Sequence, residues 1–326
     1  MSEEEVCARG TLVSRSNFIL AGRGIMSLGS LVLLAFVVDL RSVIVLFTEL
    51  DPGWVAVALT VSFVQVLLSA WRWRFTANRL GLLISLRYAV FEYYLATFLN
   101  QVLPGGIVGD VSRAWRHAKG TEKRAALQAV AFERLSGLVV MSATASFSAV
   151  VLLRELSRSI QAISLGIVLL LSVSVGFSMR RAREKRETSQ LFSDLKRALI
   201  DGIALPVQLI TSATVVGTYL LVFVMAARAV QLETDGLLLA MLAAPILMTM
   251  LLPVTIAGWG LRELAAAALW STAGLSAIDG VAVSISYGLL ALVSSLPGAC
   301  VFVFTLFRIG GLNQKAGPTR AGSDAP

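Results

Sequence analysis

The chain is poor in almost everything from which a chemical site is usually built. In 326 residues it holds one histidine, His117, and two cysteines, Cys7 and Cys300. With so few ligands and no carboxylate or thiol cluster at ligand spacing, a transition-metal site has little to be assembled from. Cys7 sits in a polar N-terminus and Cys300 inside a late apolar run, so no disulfide is expected. No Walker-type phosphate loop, Ser/His/Asp set or metal signature is present, which leaves nucleotide hydrolysis without a motif and implies no cofactor and no catalytic residue. Charge is scarce as well: 15% of residues are charged against 56% hydrophobic, and the mean hydropathy is +0.79. A soluble protein of this length is not that apolar, so the sequence describes a polytopic membrane protein of the all-α class.

The charge that is present has one dominant sign. A formal net charge of +8 could suit nucleic acid, but the lysines and arginines lie in short loops between apolar runs. That pattern orients helices in a bilayer, and no nucleic-acid partner is expected. Apolar segments run over 25–40, 54–70, 88–103, 135–153, 160–179, 203–227, 237–257 and 281–307, with a shorter ninth over 264–277. The first follows a tail carrying Arg9, Arg15 and Arg23 and lacks a small-residue cleavage site, so it is read as a membrane anchor and not as a signal peptide. Trp54, Trp71 and Trp73 stand at the ends of the second segment, where aromatic belts are expected.

If the eight longer segments all span, lysine and arginine divide evenly between the two sides. If 88–103 dips in and returns, and 237–252 does the same with 264–277 as its returning arm, the count changes. The N-terminal tail, 71–87, 104–125, 180–201 and the C-terminal tail then share one face and hold 22 of the 28 basic residues. The other face keeps Arg41, Arg154, Arg158 and Arg228, and Arg134 and Arg262 remain at membrane depth. The positive-inside rule selects this topology: six full spans, two re-entrant elements opening from opposite sides, and both termini cytoplasmic at the plasma membrane.

The two elements also resemble each other. Leu103, Pro104, Ile107, Gly109 and Arg113 align in register with Leu252, Pro253, Ile256, Gly258 and Arg262, as an inverted-topology repeat requires. The expected organisation is a cytoplasmic tail over 1–24, a first membrane half over 25–179 with its re-entrant motif at 88–113, and a basic cytoplasmic linker over 180–202. A second half follows over 203–307 with its motif at 237–277, and then a disordered tail over 308–326.

The stretch NQVLPGGIVGDVSR, Asn100 to Arg113, concentrates the chemistry. Pro104 ends an apolar helix, and Gly105, Gly106 and Gly109 permit a tight turn and close backbone approach. Amides at the start of the next helix are free donors for an anion, and Arg113, three residues beyond Asp110, can serve a phosphate as a bidentate partner. Asp110 and Arg113 can equally neutralise each other. Glu133 and Arg134, at the mouth of the next span, face either the same cavity or the water interface. Arg262 and Glu263, next to Gly258 and Gly260, form a buried pair or a second anion contact. Glu92, Tyr93, Tyr94, Asn100 and Gln101 give the third segment the polarity of a cavity wall or of helix-to-helix hydrogen bonding. Gly288, Ser294, Ser295 and Gly298 in the last span suit close packing.

These residues resemble the transmembrane region of lysylphosphatidylglycerol synthases, a family of flippase-like membrane proteins. The resemblance rests on Asn100, Pro104-Gly105-Gly106, Gly109-Asp110 and Arg113, on Glu133-Arg134 with Gly137, and on Pro253, Gly258-Trp259-Gly260 and Arg262-Glu263. It implies movement of a polar lipid between leaflets, as two-part members of the family move an aminoacylated phosphatidylglycerol. Those members carry a soluble aminoacyl-transfer domain after the membrane region, whereas 19 residues follow the last span here.

The expectation is therefore a lipid translocator without nucleotide hydrolysis, and not an enzyme. Its partner is a phospholipid or a lipid-linked head group, whose phosphate Arg113 and Arg262 hold. Two other readings stand beside it. One is a membrane transferase on a lipid-linked substrate, with Asp110 or Glu133 as general base. The other is a non-transporting subunit that holds a biosynthetic enzyme.

Overall fold

The computed structural model describes residues 50–103, 106–117, 123–152, 186–251 and 255–315. The expected spans over 25–40 and 160–179, and Pro104, Gly105 and Pro253 of the two motifs, lie outside them. Among the described residues the regular elements are all helical: α1 (Pro52–Arg79), α2 (Leu86–Val102), α3 (Val108–His117), α4 (Lys123–Leu152), α5 (Arg186–Leu199), α6 (Ala204–Ala229), α7 (Gly236–Met248), a 3-10 turn (Thr249–Leu251), α8 (Leu261–Thr272) and α9 (Ala277–Lys315). Four stretches, Pro52–Arg79, Lys123–Leu152, Ala204–Ala229 and Ala277–Thr305, are long and apolar enough to cross a membrane.

Local chemistry explains where the helices begin and end. Asp51 caps α1 by accepting from Gly53 N at 2.7 Å, with Pro52 at the first helical position. At the other end, Leu82 N reaches Ala77 O at 3.0 Å around a left-handed Gly81 (φ 88°), and Ser85 then caps α2. The end of α6 repeats this turn. Leu232 N reaches Ala227 O at 3.0 Å around Gln231 (φ 60°), and Asp235 caps α7 through Leu238 N at 2.9 Å. The equivalent residues of the two turns stand at one constant offset along the chain.

α1 and α6 lie side by side and antiparallel. Asp51 N, before α1, bonds Ala229 O at the end of α6 at 2.9 Å. Arg79, at the end of α1, donates to Arg197 O and Asp201 O just ahead of α6, both at 3.0 Å. The hairpins α2–α3 and α7–α8 therefore start from opposite ends of the α1–α6 pair. Around it, α2 packs on α9 and α7 on α4, α3 on α4 and α8 on α9. Exchanging α1 with α6, α2 with α7, α3 with α8 and α4 with α9 returns the same set of neighbours.

Apolar burial gives helices little reason to associate inside a bilayer, so close approach has to come from small residues. An added Cβ on Gly109 would stand 2.0 Å from Ala96 O, which sets α3 directly against the α2 backbone. Gly298 does the same for α9, where a Cβ would stand 2.1 Å from Tyr94 O on α2. Two aromatic nuclei fill the remaining interior: Phe223 with Trp270 and Tyr287, and Trp73 with Tyr93.

Three boundaries differ from those read in the sequence. The linker over 180–202 contains α5, whose Phe192, Leu195, Ala198 and Leu199 recur at helical spacing, so it is not merely a solvated connector. It is tied to α4 by Gln128 Nε2 on Asp194 Oδ2 at 3.1 Å and by Arg124 Nη1 on Gln190 Oε1 at 2.8 Å. α4 begins at Lys123, so Glu133 and Arg134 stand well inside a helix and not at its mouth. α9 runs on to Lys315, past the expected start of the tail at 308.

Candidate functional site

A cavity of about 250 Å³ lies among α1, α2, α4, α6, α7 and α9. Arg72, Tyr93, Asn100, Gln101, Arg134 and Tyr219 are among its polar lining residues, and Val66, Leu138, Met141, Val216 and Leu247 among its apolar ones. Arg72 and Arg134 belong to a chain of charges drawn from three helices. Arg72 on α1 pairs with Glu133 on α4 and donates to Ser212 Oγ on α6 at 3.0 Å. Glu133 Oε2 meets Arg113 Nη2 of α3 at 3.4 Å, Arg113 Nη2 meets Asp110 Oδ1 at 3.0 Å, and Asp110 Oδ2 meets Arg134 Nη2 at 2.8 Å. Asn100 fixes the break between α2 and α3 from both sides: it donates to Asp110 Oδ2 at 3.0 Å and accepts from Gly109 N at 2.8 Å.

Three guanidinium groups thus share two carboxylates. Arg113 is fully buried, with its Cζ 4.4 Å from the Trp73 ring and 4.5 Å from the Tyr93 ring, so aromatic faces cover what hydrogen bonds do not. Its Nε and Nη1 have no hydrogen-bond partner among the described residues. Arg134 differs: its side chain is 43% accessible in the middle of a helix, because it faces the cavity. Glu133 is sealed from it at 0%.

The second hairpin carries a simpler arrangement. Arg262 Nη2 and Nε bind Glu263 Oε1 at 2.7 and 3.1 Å, and Ser284 Oγ bonds the same carboxylate at 3.0 Å. Glu263 Oε2 accepts from Gly260 N at 2.6 Å, which satisfies an amide at the start of α8. Gly258 and Gly260 both take positive φ in the turn before it, and Ala257 does so without being glycine. Arg262 also lies against aromatic rings, with its Cζ 5.0 Å from Trp259 and 5.5 Å from Tyr287. Gly288 makes room for it, since a Cβ there would stand 2.3 Å from Arg262 Nη2.

The structure therefore brings Asn100, Gly109, Asp110, Arg113, Glu133 and Arg134 together and sets Gly258, Gly260, Arg262 and Glu263 in a separate cluster. Asn100, Gly106 and Arg134 line the cavity. Arg113 and Arg262, expected to hold a phosphate, do not line it: Arg113 stands behind Tyr93, and Arg262 behind Tyr287 and Met250. Asp110 answers both Arg113 and Arg134, more than mutual neutralisation with Arg113. Glu92 ties α2 to α3 through Arg116, at 2.7 Å.

Arg72, Trp73, Ser212, Tyr219 and Tyr287 were not singled out as site residues. Trp73, read as part of an interfacial belt, is 1% exposed and packs on Arg113, whereas Trp54 and Trp71 are exposed. The available signal was a guanidinium between two tryptophans at the end of an apolar run. Among the described residues, no group of three or more His, Cys, Asp or Glu side chains could hold a metal ion.

No curated protein and no solved structure matches the chain. The family model of the lysylphosphatidylglycerol synthase TM region matches it over residues 19–298. The match covers the charged break at Asn100–Arg113 and three of the four membrane-length helices in full, with most of the fourth, and the chain belongs to this family of membrane proteins of lipid metabolism.

Proposed function

We propose that the protein moves a polar or anionic lipid between the leaflets of the plasma membrane without hydrolysing nucleotide. The observation that carries this reading is the cavity, which sets two guanidinium groups suited to a head group in a largely apolar lining. Arg134 is the contact for the lipid phosphate and Arg72 its neighbour, with Arg113, Asp110 and Glu133 holding the two in place. The head group occupies the cavity while the acyl chains stay in the bilayer.

The helical hairpins α2–α3 and α7–α8 act as oppositely oriented re-entrant elements of an inverted repeat. The antiparallel α1–α6 pair, the matching turns at Gly81 and Gln231, and the exchangeable set of helix neighbours support that reading. Arg72 and Arg113 are buried and leave the count of loop charges, but the remaining excess still favours six spans with both termini cytoplasmic. No chemical step is assigned to the chain, and a lipid is its principal partner.

The test is a leaflet-resolved exchange assay in reconstituted vesicles with a head-group-labelled phospholipid. Exchange by the intact chain and a loss of at least about tenfold in Arg134→Ala are expected, the worth of one charge-assisted hydrogen bond. Equal rates with and without protein would overturn the reading.

A further inference from the structure

The cavity wall also carries information about which lipid it takes, an inference that rests on the translocation reading. Among the described residues two guanidinium groups, Arg72 and Arg134, line the cavity, and neither an aspartate nor a glutamate does. The carboxylates behind them are committed: Glu133 to Arg72 and Arg113, Asp110 to Arg113, Arg134 and Asn100. With three cations sharing two anions, the cluster is one negative charge short of neutral, and the accessible cation is Arg134.

The other polar lining residues are uncharged, and four of them make no hydrogen bond to a described residue. Gln65 and Gln101 line the cavity, and neither side-chain amide makes a hydrogen bond to a described residue; Gln65 Oε1 is also buried. A buried amide oxygen without a partner is costly, and that of Gln65 borders a space where a ligand can supply the missing bond. Tyr219 and Tyr287 line the same space, and neither hydroxyl makes a hydrogen bond to a described residue.

We infer that the cargo is a phosphodiester lipid with one net negative charge and an uncharged, hydroxyl-bearing head group, and that head groups carrying a cation are rejected. The phosphodiester supplies the missing negative charge to Arg134. Head-group hydroxyls both donate and accept, as side-chain amides and phenols require. An ammonium in the same place would meet two guanidinium groups and no free carboxylate, a repulsive juxtaposition of the kind that sets specificity. An aminoacylated phosphatidylglycerol, the cargo implied by the family resemblance, is therefore the wrong lipid for this cavity.

The experiment measures binding, so that it can fail independently of translocation. The full chain in uncharged detergent is titrated with phosphatidylglycerol, phosphatidylcholine, lysylphosphatidylglycerol and the deacylated head group glycerophosphoglycerol, and bound lipid is counted by native mass spectrometry. Phosphatidylglycerol is expected to bind at least about tenfold tighter than each of the other three. Arg134→Gln should erase the preference over phosphatidylcholine, and Arg134→Lys should retain part of it. Gln65→Leu and Gln101→Leu leave no buried protein group without its partner, so both should fold, and each should weaken phosphatidylglycerol binding about threefold or more.

Equal binding of phosphatidylglycerol and lysylphosphatidylglycerol, or an unchanged preference in Arg134→Gln, would overturn the assignment. Equally tight binding of glycerophosphoglycerol would overturn it in favour of a soluble phosphate ester. The expected ratios in a protein that exchanges no lipid between leaflets would uphold the cavity assignment and sink translocation instead.

Discussion

Replacing Glu263 by glutamine tests whether the second charge cluster is a closed structural unit. Glu263 is fully buried and accepts from Gly260 N, from Arg262 through two nitrogens, and from Ser284 Oγ. Glutamine keeps the size and one acceptor oxygen but removes the charge, which leaves the guanidinium of Arg262 buried with no counter-ion. Breaking a buried pair in this way costs ~3–5 kcal/mol. At ~2–4 °C per kcal/mol for a protein of this size class, the melting temperature should fall by about 6–20 °C.

Removing both charges, in Arg262→Met with Glu263→Leu, abolishes the desolvation cost together with the attraction. Gly260 N and Ser284 Oγ then lose their bonds, at ~1–3 kcal/mol for each group left unsatisfied, and Met250 Sδ loses a weak one. The double variant should therefore melt above Glu263→Gln. Thermal denaturation in detergent, read by the surviving monodisperse peak, orders the three proteins. A double variant that melts at or below the single one would refute the claim that the pair is self-contained.

Other expectations follow from the packing. Gly109→Ala forces a Cβ toward Ala96 O and should lower stability by ~1–3 kcal/mol or more, seen as a fall in melting temperature. Gly81→Ala meets nothing within 4 Å but must hold φ near +88°, so it should cost ~1–2 kcal/mol through backbone strain alone, measured the same way. Arg79→Ala deletes two bonds to the segment before α6 and should speed tryptic cleavage within 186–201, followed by gel.

Much of the architecture could be read from hydropathy and charge. The helical pairs at 86–117 and 236–272 follow the two segments that loop charges had singled out, and the aligned Gly109 and Gly258 stand in the first turn of α3 and in the turn before α8. Interruptions of apolar periodicity by Pro, Gly and charge are local signals, and they survive into the structure. The site itself was only half legible. Asn100, Asp110, Glu133 and Arg134 stood out as charges or amides in apolar surroundings, but Arg72 did not. It lies in WRWR at the end of a hydrophobic run, where a snorkelling or loop arginine carries the same local pattern as a buried one. Which arginine faces the cavity depends on tertiary placement: Tyr93 screens Arg113, and nothing screens Arg134. Helix α5 escaped notice because net charge masks the apolar positions on which it packs.

The two halves of the chain are interleaved, and this has a consequence for biogenesis. Arg72 donates to Ser212, and α2 is covered by α9 at Gly298, so residues of the second half complete the surroundings of the first. When the ribosome has delivered α1 to α4, the charges of the first half lack their full set of neighbours. Ser212 arrives only with α6, and the cover over α2 only with α9. Truncated chains and late-acting folding mutations in the second half should thus expose the first half's charges to lipid, and membrane quality control can recognise that state.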